Sequence, residues 1–368
     1  MYRLKFVATF LVVNFFISIP LCSAAANNTS EIAEETKQTT LSSGQDDSPW
    51  LVTPLFSSDP KVGTAIGGVG GYLFKVDQKS TASIVGIGGN YSDTDSFTLG
   101  VFLRSYWDAD NKRLMAMVVD GKIRNDYEDF LGSGLPVQTT DNIDLYFMRY
   151  MQSFAVNWFA GLQGVYTNYI ITGDNYASQQ IIDTIGLTGI DSGAVGVTLM
   201  YDNLDNQNSP TTGKYLLFHN FSYRESLGGE EDFDAYNLAF KHYIPNGNGH
   251  VFAYHATGRW TSDAMVSGYS SVALRGYVRG EYLAPHSVML EAEQRWNLKG
   301  RYGASIFTGV SCLYGEGKKC DNSENLYPVI GAGARITLKE SERIVVTMDY
   351  AKGKSDNSGF YIRFGQAF

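Results

Sequence analysis

The chain has little charge, little proline and almost no cysteine. Charged residues are 18% of the 368, against about 25% in an average soluble domain. The formal net charge of -9 leaves no basic footprint for a nucleic-acid partner. Past the N-terminus no stretch approaches the roughly 20 consecutive apolar residues that a membrane helix needs. His219, His242, His250, His255 and His286 show no ligand spacing, so neither a metal nor a cofactor is implied. No local pattern sets a nucleophile beside its base, so no enzyme is expected. The glycine run Gly67-Gly68-Val69-Gly70-Gly71 lacks the Lys-Ser/Thr ending of a phosphate loop, and suits a bent or crowded strand.

What is abundant is glycine (39), tyrosine (24) and phenylalanine (21), with only 9 prolines to interrupt strands. The N-terminus has Arg3 and Lys5, then an apolar run broken by Asn14 and Pro20, then Ser23, Ala24, Ala25 and Ala26. This reads as a signal peptide over 1–26. Lipidation at Cys22 is set aside because Leu21 stands where a lipoprotein signal wants a small residue. Residues 27–49 are polar and acidic and read as a disordered periplasmic leader. Export places the two remaining cysteines in an oxidising compartment. Cys312 and Cys320 flank a loop-like Gly315-Glu316-Gly317-Lys318-Lys319, and a disulfide is the preferred reading over free thiols.

From Trp50 on, the pattern is a period of two. Phe97, Leu99, Val101 and Leu103 alternate with small or polar neighbours, as do Ile344, Val346, Met348 and Tyr350. The final segment puts Phe360, Ile362, Phe364 and Phe368 on one face, and Tyr361, Arg363 and Gly365 on the other. A soluble sheet hides its apolar face, whereas a transmembrane barrel turns it to lipid and fills the lumen with small and polar groups. The expected fold is all-β: a transmembrane antiparallel β-barrel over 50–368, with sixteen strands and no helix. Short connections, such as 108–111 and 245–248, alternate with long ones, such as 125–141, 171–189 and 262–285. Short periplasmic turns and long outer loops are the bacterial rule, so both termini are expected in the periplasm of a Gram-negative cell.

One loop narrows the reading. Leu274-Arg275-Gly276-Tyr277 lies in the sixth long loop, ahead of Glu291-Ala292-Glu293-Gln294-Arg295-Trp296 on the twelfth strand. Upstream, Asp202, Asp205 and Asn206 precede Ser209-Pro210-Thr211-Thr212-Gly213; they are expected to cap a turn rather than bind a cation. With Met348-Asp349-Tyr350 and the Phe-terminated end, these residues resemble the barrel of the BamA/TamA superfamily, the bacterial surface antigens. The resemblance is specific over 190–368 and generic before that. It implies a sixteen-stranded barrel that inserts or translocates polypeptides, with an Arg-Gly-Tyr or Arg-Gly-Phe loop folded into the lumen.

A buried guanidinium must be paired. The candidate partners of Arg275 on lumen positions are Glu291, Glu293 and Asp349. The family's acidic residue on the thirteenth strand, after a Phe, is missing from Phe307-Thr308-Gly309, so the lock is expected to be weaker or to rest on Glu293 alone. The family's periplasmic POTRA domains also have no room in 27–49, so the chain is expected to lack a receiving domain. The expectation is an outer-membrane barrel that assists insertion or translocation of polypeptides or lipids. Its partners would be outer-membrane lipid, client polypeptides and an accessory periplasmic protein. A passive channel or structural barrel is the alternative, and an outer-membrane hydrolase a distant one.

Overall fold

In the computed structural model, residues 49–368 are described except 60–62, 81–82, 128–134, 186–188, 207–208, 278–280, 340–342, 356 and 365. The expected signal peptide and nearly all of the leader lie outside the described residues. The strands are β1 (Trp50–Asp59), β2 (Gly63–Phe74), β3 (Ser83–Ser92), β4 (Phe97–Trp107), β5 (Lys112–Tyr127), β6 (Val137–Ala155) and β7 (Trp158–Gly173). A helix, α1 (Tyr176–Ile185), precedes β8 (Gly189–Asp202), β9 (Gly213–Tyr223), β10 (Phe233–Pro245) and β11 (Val251–Ser262). Two short strands follow, β12 (Ser270–Ser271) and β13 (Leu283–Ala284). The chain then completes the sheet with β14 (His286–Asn297), β15 (Tyr302–Tyr314), β16 (Leu326–Lys339), β17 (Ile344–Lys352) and β18 (Ser358–Phe364).

Sixteen of these form one sheet in chain order, each antiparallel to the next, while β12 and β13 pair only with each other. β1 and β18, at the two ends of that order, lie against one another. Among the described residues no strand register joins these two, in contrast to every other neighbouring pair. The fold is a transmembrane antiparallel β-barrel.

Alternation along each strand decides what faces lipid and what faces the lumen. On β6, Val137, Thr139, Asp141, Ile143 and Leu145 are buried while Tyr146 and Met148 are exposed. Leu99, Val101, Leu162, Ile330 and Tyr350 likewise point outward, where only hydrocarbon can cover them. Part of the inner face packs against itself. Ile84, Phe102, Val119, Ile143, Val165 and Phe221 form one cluster with Ile182 of α1 packed into it.

Two sequence expectations fail here. A helix stands in the long connection 171–189, which was expected to be without one. Its ten residues carry too few turns for a period of 3.6 to stand out. Asn175 starts it, its side chain accepting from the Ser178 N–H at 2.9 Å. The last strand also stops at Phe364 instead of running to the chain end. Phe368 is therefore not on the lipid face: it is 7% exposed and packs inside against Tyr243, Val251 and Ala253.

Candidate functional site

The connection from β11 to β14 bends back into the barrel. The β12–β13 pair closes it into a hairpin, Ser270 opposite Ala284 and Ser271 opposite Leu283. Arg259 on β11 anchors its start, donating from Nη1 to the Gly268 carbonyl at 2.9 Å and to Ser270 Oγ at 3.0 Å. Val272, Leu274 and Tyr277 pack inward against Phe307, Val329 and Tyr361.

This places the Arg275 guanidinium among three carboxylates from two strands. Nε donates to Glu291 Oε1 at 2.6 Å, Nη2 to Glu293 Oε2 at 2.8 Å and Nη1 to Asp349 Oδ2 at 2.9 Å. The arginine side chain is only 5% exposed. Its planar fork can meet several carboxylates at once. Phe307 supplies the face, with the guanidinium carbon 3.3 Å from the ring centre.

The expectation that the lock rests on Glu293 alone is corrected by this geometry. All three candidate carboxylates, Asp349 on β17 included, bond the guanidinium. Gly309 of β15 is where the loop comes close: a Cβ there would stand 3.1 Å from Leu274 Cδ2. Phe307 lies directly opposite Glu293 in the β14–β15 register, which is what brings its ring to the guanidinium.

Gly276 and Tyr277 extend the attachment. Gly276 has φ +88, a backbone that favours glycine, and its N–H donates to Tyr361 Oη at 2.6 Å. Tyr277 Oη donates to the Pro328 carbonyl at 2.6 Å and accepts from the Lys354 N–H at 2.7 Å. Three consecutive residues thus bind the loop to β14, β16, β17 and β18, and to the connection after β17.

Glu293 is shared. Its Oε1 accepts from Arg295 Nε at 2.8 Å, and Arg295 Nη2 donates to the Phe368 carbonyl at 2.8 Å. Neither Arg295 nor Tyr361 was singled out from sequence as a member of this network. Arg295 shares a face with Glu291 and Glu293 at a spacing of two, which is the signal that could have found it.

The other named residues fall as follows. Cys312 and Cys320 form a disulfide, with Cα atoms 5.7 Å apart, at the root of the β15–β16 loop. Phe360 is exposed on the outer face, while the side chains of Ile362 and Phe364 lie outside the described residues. In the β8–β9 turn Asp205 accepts from the Thr211 and Thr212 N–H groups and from Thr211 Oγ1, and pairs with Arg343. Partial burial pushes its carboxyl up, but those bonds outweigh it and hold the pKa down at about 2. Among the described residues no group of His, Cys, Asp and Glu side chains is arranged to hold a metal ion.

No family model matches the chain, and neither does any curated protein. Solved structures do. BamA from Haemophilus ducreyi lacking POTRA domains 1-3 aligns at a TM-score of 0.58 and 13% identity, covering 86% of this chain and 70% of that one. CdiB from Escherichia coli aligns at 0.57 and 12%, over 88% of this chain and 63% of that one. CdiB from Acinetobacter baumannii aligns at 0.54 and 12%, over 86% and 59%. The fold is that of an outer-membrane β-barrel. At these identities the likeness is one of architecture, and this chain spans less than two thirds of either CdiB.

Proposed function

We propose that this chain is a BamA/TamA-like barrel that assists the insertion or translocation of polypeptides at the outer membrane of a Gram-negative cell. The observation that carries the reading is the Arg275-Gly276-Tyr277 loop, seated in the lumen on Glu291, Glu293 and Asp349. A loop fixed in this way ties β14 to β18 together as a unit. The weak place is then the junction of β18 with β1. Pro54, on β1, cannot donate a ladder hydrogen bond.

The work is mechanical rather than chemical. A client strand would find unpaired backbone groups at the opened junction and add to the sheet edge, as extended peptides do elsewhere. Lipid would surround the outer face, and the chain ends would sit in the periplasm with the short turns. Client chains and an accessory periplasmic protein are the partners this reading requires.

The test is the folding of a small, urea-unfolded outer-membrane barrel into lipid vesicles, with and without this protein reconstituted in them. Acceleration well above empty vesicles supports the reading. Equal rates, with this protein verified as folded, would refute it in favour of a passive channel or scaffold.

A further inference from the structure

The lumen loop is held near its tip by Arg275, and a second element grips it at its base. Beyond β15 the chain makes a turn in which the Gly315 and Lys318 backbones exchange two hydrogen bonds of 3.1 Å. From this turn Lys318 Nζ donates to the Leu283 carbonyl at 2.8 Å. Leu283 is on β13, one of the two strands that close the hairpin carrying Arg275. Glu316 of the same turn hydrogen-bonds the side chain of Tyr269, which leads into the other strand, β12. A Cβ on Gly315 would stand 3.1 Å from Pro285 Cβ, so the turn also lies close against the chain that leaves the hairpin. Leu313, just before it, is fully buried in the cluster that holds Val272, Leu274 and Ala284.

What fixes the turn is covalent. Glu316, Gly317, Lys318, Lys319 and Cys320 are exposed, so apolar burial does little to order them. Gly315 and Gly317 have φ of +102 and +84, and a glycine gives up more conformational freedom on ordering than any other residue. The Cys312–Cys320 disulfide ties the far end of the turn to β15, where Cys312 is opposite Val288 of β14 and Leu326 of β16. Closing so short a segment removes much of its freedom. A lone lysine reaching across a surface loses rotamer entropy for its hydrogen bond, and a turn already held in place lowers that loss.

We propose that the Cys312–Cys320 turn is a redox-sensitive latch on the lumen loop. The disulfide positions Lys318 and Glu316 on the base of the hairpin, and opening it loosens the 263–285 connection while the Arg275 ion cluster is chemically untouched. To close the latch, the two protein thiols give two electrons and two protons to a second disulfide, which leaves as two thiols. A dithiol runs the exchange in reverse. Cys320 is exposed and Cys312 only 4% exposed, so the incoming thiolate bonds Cys320 Sγ while Cys312 Sγ leaves and takes a proton. The second thiol of the reductant then releases Cys320 as it closes its own disulfide. The latch does not depend on whether the barrel handles polypeptides.

Limited proteolysis of the folded full-length protein in a non-ionic detergent tests it, with and without dithiothreitol, the fragments being assigned by mass spectrometry. Cleavage within 263–285 is expected to become about tenfold faster on reduction. Cleavage within 171–189, the connection that carries α1, should keep its rate, which separates release of the latch from general loosening. Lys318→Met keeps the disulfide and should speed the cleavage within 263–285 several-fold. Cys312→Ser/Cys320→Ser should be cut at the reduced rate with or without dithiothreitol. Thiol labelling reports the state of the bridge, and heat-modifiable gel mobility the fold. The serine variant carries the test if the reductant leaves the bridge closed, and the reduced wild type carries it if the variant does not fold. An unchanged rate within 263–285 once the bridge is open, an equal acceleration within 171–189, or a wild-type rate in Lys318→Met overturns the proposal.

Discussion

Replacing Arg275 with alanine removes the cation that bonds Glu291, Glu293 and Asp349 together. Charge-assisted hydrogen bonds contribute about 1.5–3 kcal/mol each, but burying the guanidinium costs part of that sum. One-sided removal from a buried pair typically destabilises by about 3–5 kcal/mol, because carboxylates are left facing one another. Loss of the stack on Phe307 adds about 1 kcal/mol. Against that, Glu293 keeps Arg295, and lumen water can reach the vacated space. The expected net loss is about 4 kcal/mol. Arg275→Lys should lose roughly half as much, since a lysine keeps the charge but not the fork. Urea unfolding in lipid, followed by gel mobility, reads the difference as a lower midpoint at similar slope. Limited proteolysis should cut the 263–285 connection faster in the alanine variant. An unchanged midpoint together with an unchanged cleavage rate would refute the claim that this ion cluster holds the loop.

Three further outcomes follow from the same geometry. Gly276→Ala forces a side chain onto a backbone at φ +88, with its Cβ 3.3 Å from that of Ala351; a loss of about 1–2 kcal/mol and faster loop proteolysis are expected. Asp205 titrates lower folded than unfolded, so its contribution is complete above about pH 4 and disappears as the pH falls through about 2. Asp205→Asn should flatten that part of the stability–pH curve, and identical curves would contradict the assignment. Opening the Cys312–Cys320 disulfide with reductant frees a short loop, which should lower stability by about 2.5 kcal/mol in urea unfolding and leave Cys312→Ser/Cys320→Ser insensitive to reductant.

The barrel was legible because lipid and lumen impose opposite demands on neighbouring residues. Leu99 and Val101 had to be apolar, while the glycine between them faces a crowded interior. Where the chain leaves the sheet that rule lapses. Phe368 fits the alternation of Phe360 only if the strand continues, and after Phe364 it does not, so its side chain turns inward to Arg295 and His255. Helix α1 was missed for a related reason: its apolar residues pack into a lumen cluster, which no window of ten residues reveals. The carboxylates near Arg275 could be named because they sit in lumen phase on β14 and β17. The Phe307 stack and the Tyr361 hydrogen bond depend on register across strands, which a single sequence leaves open.

In the proposed mechanism the wall opens where β1 meets β18 and works on other polypeptides there. The most direct test locks that junction with a cysteine pair placed across β1 and β18, away from Cys312 and Cys320, and measures the folding of an unfolded client barrel into vesicles. The wild type is expected to accelerate folding, the oxidised variant to lose that acceleration, and added reductant to restore it. Acceleration that persists with the junction covalently closed would contradict it.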